Sequence, residues 1–145
     1  MLVRFKKINP NASIPTYGSS YAAGCDLSAC IDQAISIPPH TTIKMPTGLA
    51  IELPENTVGL IYARSGMATK RHLAPANKVG VIDADYRGEI IVALHNHSEE
   101  AQTIEVGERI AQLVVAPFYH VEFEEVDELS ETVRGEGGFG STGTK

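Results

Sequence analysis

Apolar and polar residues alternate in seven stretches of this chain, residues 2–8, 42–45, 49–53, 58–63, 90–95, 103–106 and 109–115. A two-residue period sends successive side chains to opposite faces of an extended backbone, so each stretch predicts a half-buried β-strand. Pro38-Pro39, Pro46, Gly48, Pro54, Gly59, Gly88 and Gly107 punctuate them at spacings suited to turns and strand ends. Many short strands separated in this way predict an all-β, antiparallel fold, either a distorted jelly roll or a β-barrel. Only residues 65–71 have a helical character, with Ser65 as a candidate N-cap. No repeat of fixed period is present.

The pattern changes near Val126. Beyond it the chain is polar and charged, and then glycine-rich, with Phe139 as its one aromatic residue; five of the 13 glycines lie between Gly135 and Gly143. Fixing so many glycines costs backbone entropy. The expected organisation is a β-rich core over residues 1–126 and a flexible C-terminal arm over residues 127–145.

Composition sharpens this picture. A chain of 145 residues fits one domain, which at this size buries about 68–70% of its unfolded surface. The formal net charge of −6 lacks the basic footprint of a protein that binds DNA or RNA non-specifically. The run 110–118 is interrupted by Gln112 and Pro117 and falls well short of the roughly 20 residues of a membrane span. The first ten residues have no apolar signal region, so the expected location is the cytoplasm, or also the nucleus in a eukaryote. Cys25 and Cys30 are then expected as reduced thiols serving packing.

Three segments concentrate chemistry. Residues 77–90 hold three carboxylates, a phenol, a guanidinium and two glycines between strand-forming runs, which predicts a hairpin. This pattern fits an ordinary Asp-rich turn. It equally fits a β-ribbon whose exposed backbone at Gly80, Val81 and Ile82 reads a planar base edge. A fixed main-chain array of that kind rejects a mismatched base strongly, because buried polar groups are left unpaired, at a cost reaching factors of about 10⁴. Residues 63–68 place Arg64, Ser65 and Gly66 where a strand meets the short helix. They constitute either a simple helix start with a solvated arginine or a cradle for phosphate oxygens. Residues 134–143 contain a literal G-x-G-x-x-G, but no strand-forming run precedes it and no βαβ pattern accompanies it, so a dinucleotide fold is not expected. A disordered tail remains one reading. The other is a lid carrying Arg134, Phe139, Gly140 and Ser141 over a phosphorylated ligand.

Asp26, beside Gly24, and Gln112, on an apolar strand, are weaker signals. A glutamine in such surroundings needs a hydrogen-bond partner, whether structural or a phosphate oxygen. His95 and His97 lie two residues apart without a third ligand, which disfavours structural zinc. No G-x-S-x-G setting marks a serine nucleophile.

Taken in order, AGCDLSA, ARSGMA, GVIDADYRGEI, GERIAQL and RGEGGFGSTG, spread over residues 23–143, closely resemble the five motifs of the trimeric dUTPase family. The resemblance implies a jelly-roll subunit, a homotrimer with active sites at subunit interfaces, and hydrolysis of dUTP to dUMP and pyrophosphate. Such an activity keeps uracil out of DNA and supplies dUMP for dTMP synthesis. It assigns Asp83 to the attacking water, Tyr86 to the deoxyribose, Asn77 to the uracil, and Phe139 to stacking on the uracil. Arg64, Ser65, Gln112 and Arg134 match phosphate contacts, with Ser65 and Gln112 also expected in catalysis. Magnesium is implied, held by substrate phosphates and water without a direct protein ligand, with Asp26 as a supporting carboxylate. Ala63 stands where the family often has proline, and Met67 where it often has leucine. A dCTP deaminase-like enzyme and a non-catalytic trimeric regulatory module are the competing readings. No nucleic-acid or membrane partner is expected.

Overall fold

A computed structural model describes residues 1–138 of the chain. Twelve strands and one helix follow in the order β1 (Arg4–Lys7), β2 (Thr16–Tyr17), β3 (Cys25–Ser28), β4 (Ile35–Ile37), β5 (Thr42–Pro46), β6 (Leu49–Glu52), β7 (Thr57–Tyr62), α1 (Ser65–Arg71), β8 (Leu73–Pro75), β9 (Gly80–Ile82), β10 (Ile91–Asn96), β11 (Gln102–Ile104) and β12 (Arg109–Pro117). Four antiparallel sheets result: β2-β3-β12-β7-β9, β5-β10-β8, β11-β4 and β1-β6. The fold is jelly-roll-like, and among the described residues no ladder closes into the barrel that was the other expectation.

The seven alternating stretches all form strands, with ends shifted by a few residues. Strands β2, β3, β4, β8 and β9 are only two to four residues long, too short for a period to show in isolation. The hairpin expected over residues 77–90 does not form. Strand β9 pairs with β7, whereas β10 pairs with β5 and β8, so residues 83–90 cross from one sheet to another. Helix α1 occupies residues 65–71, but Arg64 is its N-cap, in extended conformation and without a side-chain cap, and Ser65 is its first residue. His72, left-handed at φ +54°, ends it with its N–H on the Met67 carbonyl.

The core gathers Leu27, Ile37, Met45, Leu49, Leu73, Ile90, Leu94, Ile104 and Ile110, all essentially buried. Two polar side chains are as deep, Thr47 and Asn96. The Asn96 amide donates to the carbonyls of Ile37 (3.0 Å), Pro38 (3.2 Å) and Glu100 (2.7 Å), and its oxygen accepts from the Ser98 N–H (2.9 Å) and hydroxyl (2.7 Å). A fully satisfied buried amide fixes the end of β10 against β4 and the following turn. Cys25 and Cys30 are free thiols, Cys25 buried with its Sγ 3.4 Å from the Leu113 carbonyl. Burial, first of all, pushes both thiols above the ordinary range. No helix among the described residues is long and apolar enough to cross a membrane.

After β12, residues 118–138 form no strand, and Tyr119, Phe123 and Leu129 are largely exposed. Arg134 Nε donates to the Gly137 carbonyl (2.8 Å) within a local turn.

Gly48, between β5 and β6, is buried at φ +67°, and a Cβ there would lie 2.8 Å from both Ala12 Cβ and Cys30 Sγ. Both strain and overlap oppose any side chain. Gly48→Ala is expected to lower unfolding free energy by about 1–3 kcal/mol, measured by urea denaturation; an unchanged midpoint would contradict the packing described.

Candidate active site

The register of β12 builds the first half of the site. Gln112 lies opposite Asp26 of β3 on one side and Tyr62 of β7 on the other. Between Arg109 and Ala111 the β3–β12 ladder slips by one residue, and Ile110 and Ala111 are both buried. That bulge returns Arg109 to the outward face shared by Gln112, since strict alternation would have aimed it with Ala111 and Leu113 into the core.

On that outward face, Asp26 accepts from two guanidiniums. Its Oδ1 lies 2.8 Å from Arg64 Nε and its Oδ2 3.0 Å from Arg109 Nη1, and the carboxylate side chain is only 15% exposed. One carboxylate therefore aligns two cations and leaves the cluster with net positive charge. Gln112 Nε2 donates to the Ala63 carbonyl at 2.9 Å, which ties the end of β7 to β12. A Cβ at Gly24 would lie 2.5 Å from Gln112 Oε1, so glycine permits that approach. Arg71, at the end of α1, pairs with Glu108 and donates to the Thr103 carbonyl and to Gln102 Oε1 (3.3 Å), clamping the helix to the β11–β12 turn. These residues surround a cavity of about 370 Å³ lined by Asp26, Arg64, Ser65, Gly66, Arg109 and Gln112, with Gly18, Ala22 and Gly24. Its charge and donors suit phosphate oxygens.

The second half lies across β7. Gly80 of β9 sits opposite Ile61, one residue from the Tyr62 that faces Gln112. A cavity of about 270 Å³ is lined by Asn77, Gly80, Val81, Ile82, Asp83 and Tyr86, together with Ile61, Glu89 and Ile91. The loop after β9 folds as a turn, with the Tyr86 N–H on the Asp83 carbonyl (3.1 Å) and the Tyr86 hydroxyl donating to the Glu89 carbonyl (3.0 Å). Asp83 is exposed at this cavity.

Every sequence-predicted residue up to Gln112 thus lines one cavity or the other, but the two share no residue. Asp83 and Tyr86 are in one, Ser65, Arg64, Gly66, Gln112 and Asp26 in the other. Arg134 lines neither, and Phe139, Gly140 and Ser141 lie outside the described residues. Sequence reasoning missed Arg109, Gly24 as a packing partner of Gln112, and Glu89. The Arg109–Asp26 contact spans 83 positions, and only the ladder register reveals it. Among the described residues no group of three His, Cys, Asp or Glu side chains is arranged to hold a metal. His95 and His97 do meet, with ring centroids 4.4 Å apart.

A cationic, hydroxyl-bearing cavity beside one walled by strand backbone and a tyrosine defines a class, a β-fold protein suited to a phosphorylated planar ligand. Comparison with known proteins gives the family. The dUTPase family model matches residues 10–143. A deoxyuridine 5'-triphosphate nucleotidohydrolase of Desulfitobacterium hafniense is 54% identical over 131 residues, covering 90% of this chain and 87% of that protein. One from Acinetobacter baumannii is 43% identical over 148 residues and 99% of each. The Staphylococcus bacteriophage 80alpha dUTPase with dUpNHpp superposes with a TM-score of 0.85 at 29% identity, covering 98% of both chains. A mutant of that phage enzyme with the same analogue reaches 0.90 at 30% identity, again over 98% of each. The chain belongs to the dUTPase family.

The Asp26 bridge carries a stability consequence. Asp26→Ala leaves two neighbouring guanidiniums without their shared counter-charge. We expect it to cost about 1–3 kcal/mol in urea unfolding, and more than Arg109→Ala, whose side chain is 57% exposed. Equal costs for the two variants would mean that the carboxylate does not organise the pair.

Proposed function

We propose that this chain is a dUTP diphosphatase that hydrolyses dUTP to dUMP and pyrophosphate, with uracil and deoxyribose in the β9–Tyr86 cavity and phosphates in the Arg64–Gln112 cavity. The observation that carries this reading is the division of the residues of the first four motifs between two complementary cavities, one walled by backbone and one by cations. Because the halves share no residue, a homotrimer in which one subunit's base cavity faces another's phosphate cavity completes each site. Core residues 1–126 supply both halves, and the arm, residues 127–145, closes over them with Arg134, Phe139, Gly140 and Ser141.

Asp83, exposed at the base cavity, holds the attacking water and takes its proton. Attack is in line on the α-phosphorus, the bond to the bridging oxygen breaks, and pyrophosphate leaves. Arg64, Ser65 and Gln112 hold phosphate oxygens and favour the more negative transition state. Backbone at Gly80, Val81 and Ile82, with Asn77, pairs with the uracil edge, and the Tyr86 ring packs on deoxyribose where a 2′-hydroxyl would clash. Phe139 stacks on the base. Asp26 faces the guanidiniums with both oxygens, so it acts through them rather than as a direct metal ligand. That donor set fits magnesium bound to phosphate and water oxygens, where the ion would neutralise charge on the leaving pyrophosphate.

Pyrophosphate release from dUTP, compared with dCTP, dTTP and UTP, tests the activity. Ammonia from dCTP, or no preference for dUTP, would overturn it. Asp83→Asn is expected to fold and bind a non-hydrolysable dUTP analogue while kcat falls by about 10²–10⁴; retained turnover would remove the water-activating role. Truncation after Thr132 is expected to keep the oligomer and fold yet lose most hydrolysis, followed by light scattering and the same assay. Full activity of the shortened chain would make the arm dispensable.

A further inference from the structure

Glu89 lines the base cavity, yet its carboxylate is committed elsewhere. Its Oε1 accepts from the Gly48 N–H at 2.7 Å in a part-buried contact. The turn around Gly48 grips the neighbouring residue as well. The Ile90 N–H donates to the Leu49 carbonyl (2.8 Å), and the Ile90 carbonyl receives both the Thr47 N–H (3.3 Å) and the Thr47 hydroxyl (2.6 Å). Ile90 is fully buried, and Thr47 and Gly48 are buried with it. On the other side, the Glu89 carbonyl holds the Tyr86 hydroxyl at 3.0 Å. The Tyr86 ring occupies the space that a side chain at Gly88 would fill, so the ring is pressed back onto the 86–89 turn.

We infer that Glu89 is a positioning residue: its carboxylate latches the 83–89 loop to the β5–β6 turn through Gly48, and its carbonyl thereby sets where the Tyr86 ring stands and how strictly the sugar is read. This rests on the reading of Tyr86 as the deoxyribose contact. Position matters because the loop leaves one sheet at Ile82 and enters another at Ile91, and Glu89 lies between the buried Ile90 anchor and the exposed turn that carries Tyr86. Gly48 cannot offer an alternative geometry, since its left-handed backbone and crowded neighbours fix the direction of its N–H. Removing the acceptor would leave a buried donor unpaired and free the loop base.

The test compares Glu89→Ala, Glu89→Gln and Tyr86→Phe. Glutamine keeps an oxygen for the Gly48 N–H, and phenylalanine keeps the ring but loses the hydroxyl anchor without touching the core. The expected result is that Glu89→Ala and Tyr86→Phe each reduce the ratio of kcat/KM for dUTP over UTP by about tenfold, while Glu89→Gln restores most of that ratio. A ratio unchanged in Glu89→Ala beside a lowered Tm would show a merely structural contact and overturn the inference. An unchanged ratio in Tyr86→Phe, or no recovery in Glu89→Gln, would overturn it too. If Glu89→Ala fails to fold, the Tyr86→Phe ratio decides. A substrate-free readout separates this inference from the assigned activity. In protein labelled with 3-fluorotyrosine, the Tyr86 fluorine resonance, assigned with Tyr86→Phe, is expected to shift and broaden in Glu89→Ala and return in Glu89→Gln. A wild-type chain without dUTP preference would defeat the functional reading, and an unmoved Tyr86 resonance would defeat the latch.

Discussion

The one-residue slip in β12 is the constraint on which the site depends. A strand that alternated strictly from Arg109 to Leu113 would put the guanidinium in the core or expose Leu113. With the slip, Ile110, Ala111 and Leu113 pack inward while Arg109 and Gln112 share the outer face with Asp26. Because β12 is hydrogen-bonded on both sides, its register also fixes β3 and β7, and with them Asp26, the Ala63 carbonyl and the start of α1. A local irregularity in one backbone thus sets the relative positions of groups far apart in sequence.

Much of this was legible in the sequence, for identifiable reasons. The long strands, such as β10 and β12, carry enough residues for alternation to emerge, and helix α1 is bounded by residues that cannot extend it, His72 taking the left-handed conformation. The short strands β2 and β8 exist because a longer neighbour supplies their hydrogen bonds, and β4 because the distant β11 does, so no local signal announces them. The expected hairpin failed for the same reason. Strand β9 and the run after Gly88 both have strand character, but tertiary pairing assigns them to different sheets.

The site was legible as a set of segments and illegible as a geometry. Glycine-flanked polar residues at 24–26, 64–66 and 80–86 stood out against the apolar alternation, and each segment lines a cavity. What no composition or spacing could give was the double use of Asp26, the seating of Gln112 against Gly24, and the division of the residues between two cavities on either side of β7. These depend on ladder register, in which a shift of one position exchanges the two faces of a strand.

The state of the two thiols has a practical side. Cys25 is enclosed, with its Sγ on the Leu113 carbonyl and burial pushing its thiol upward, so it is shielded from alkylating reagents. A cysteine introduced on the open surface would take up a spectroscopic label ahead of it. Cys30, half-buried beside Gly48, is the native sulfhydryl such a labelling experiment would have to replace.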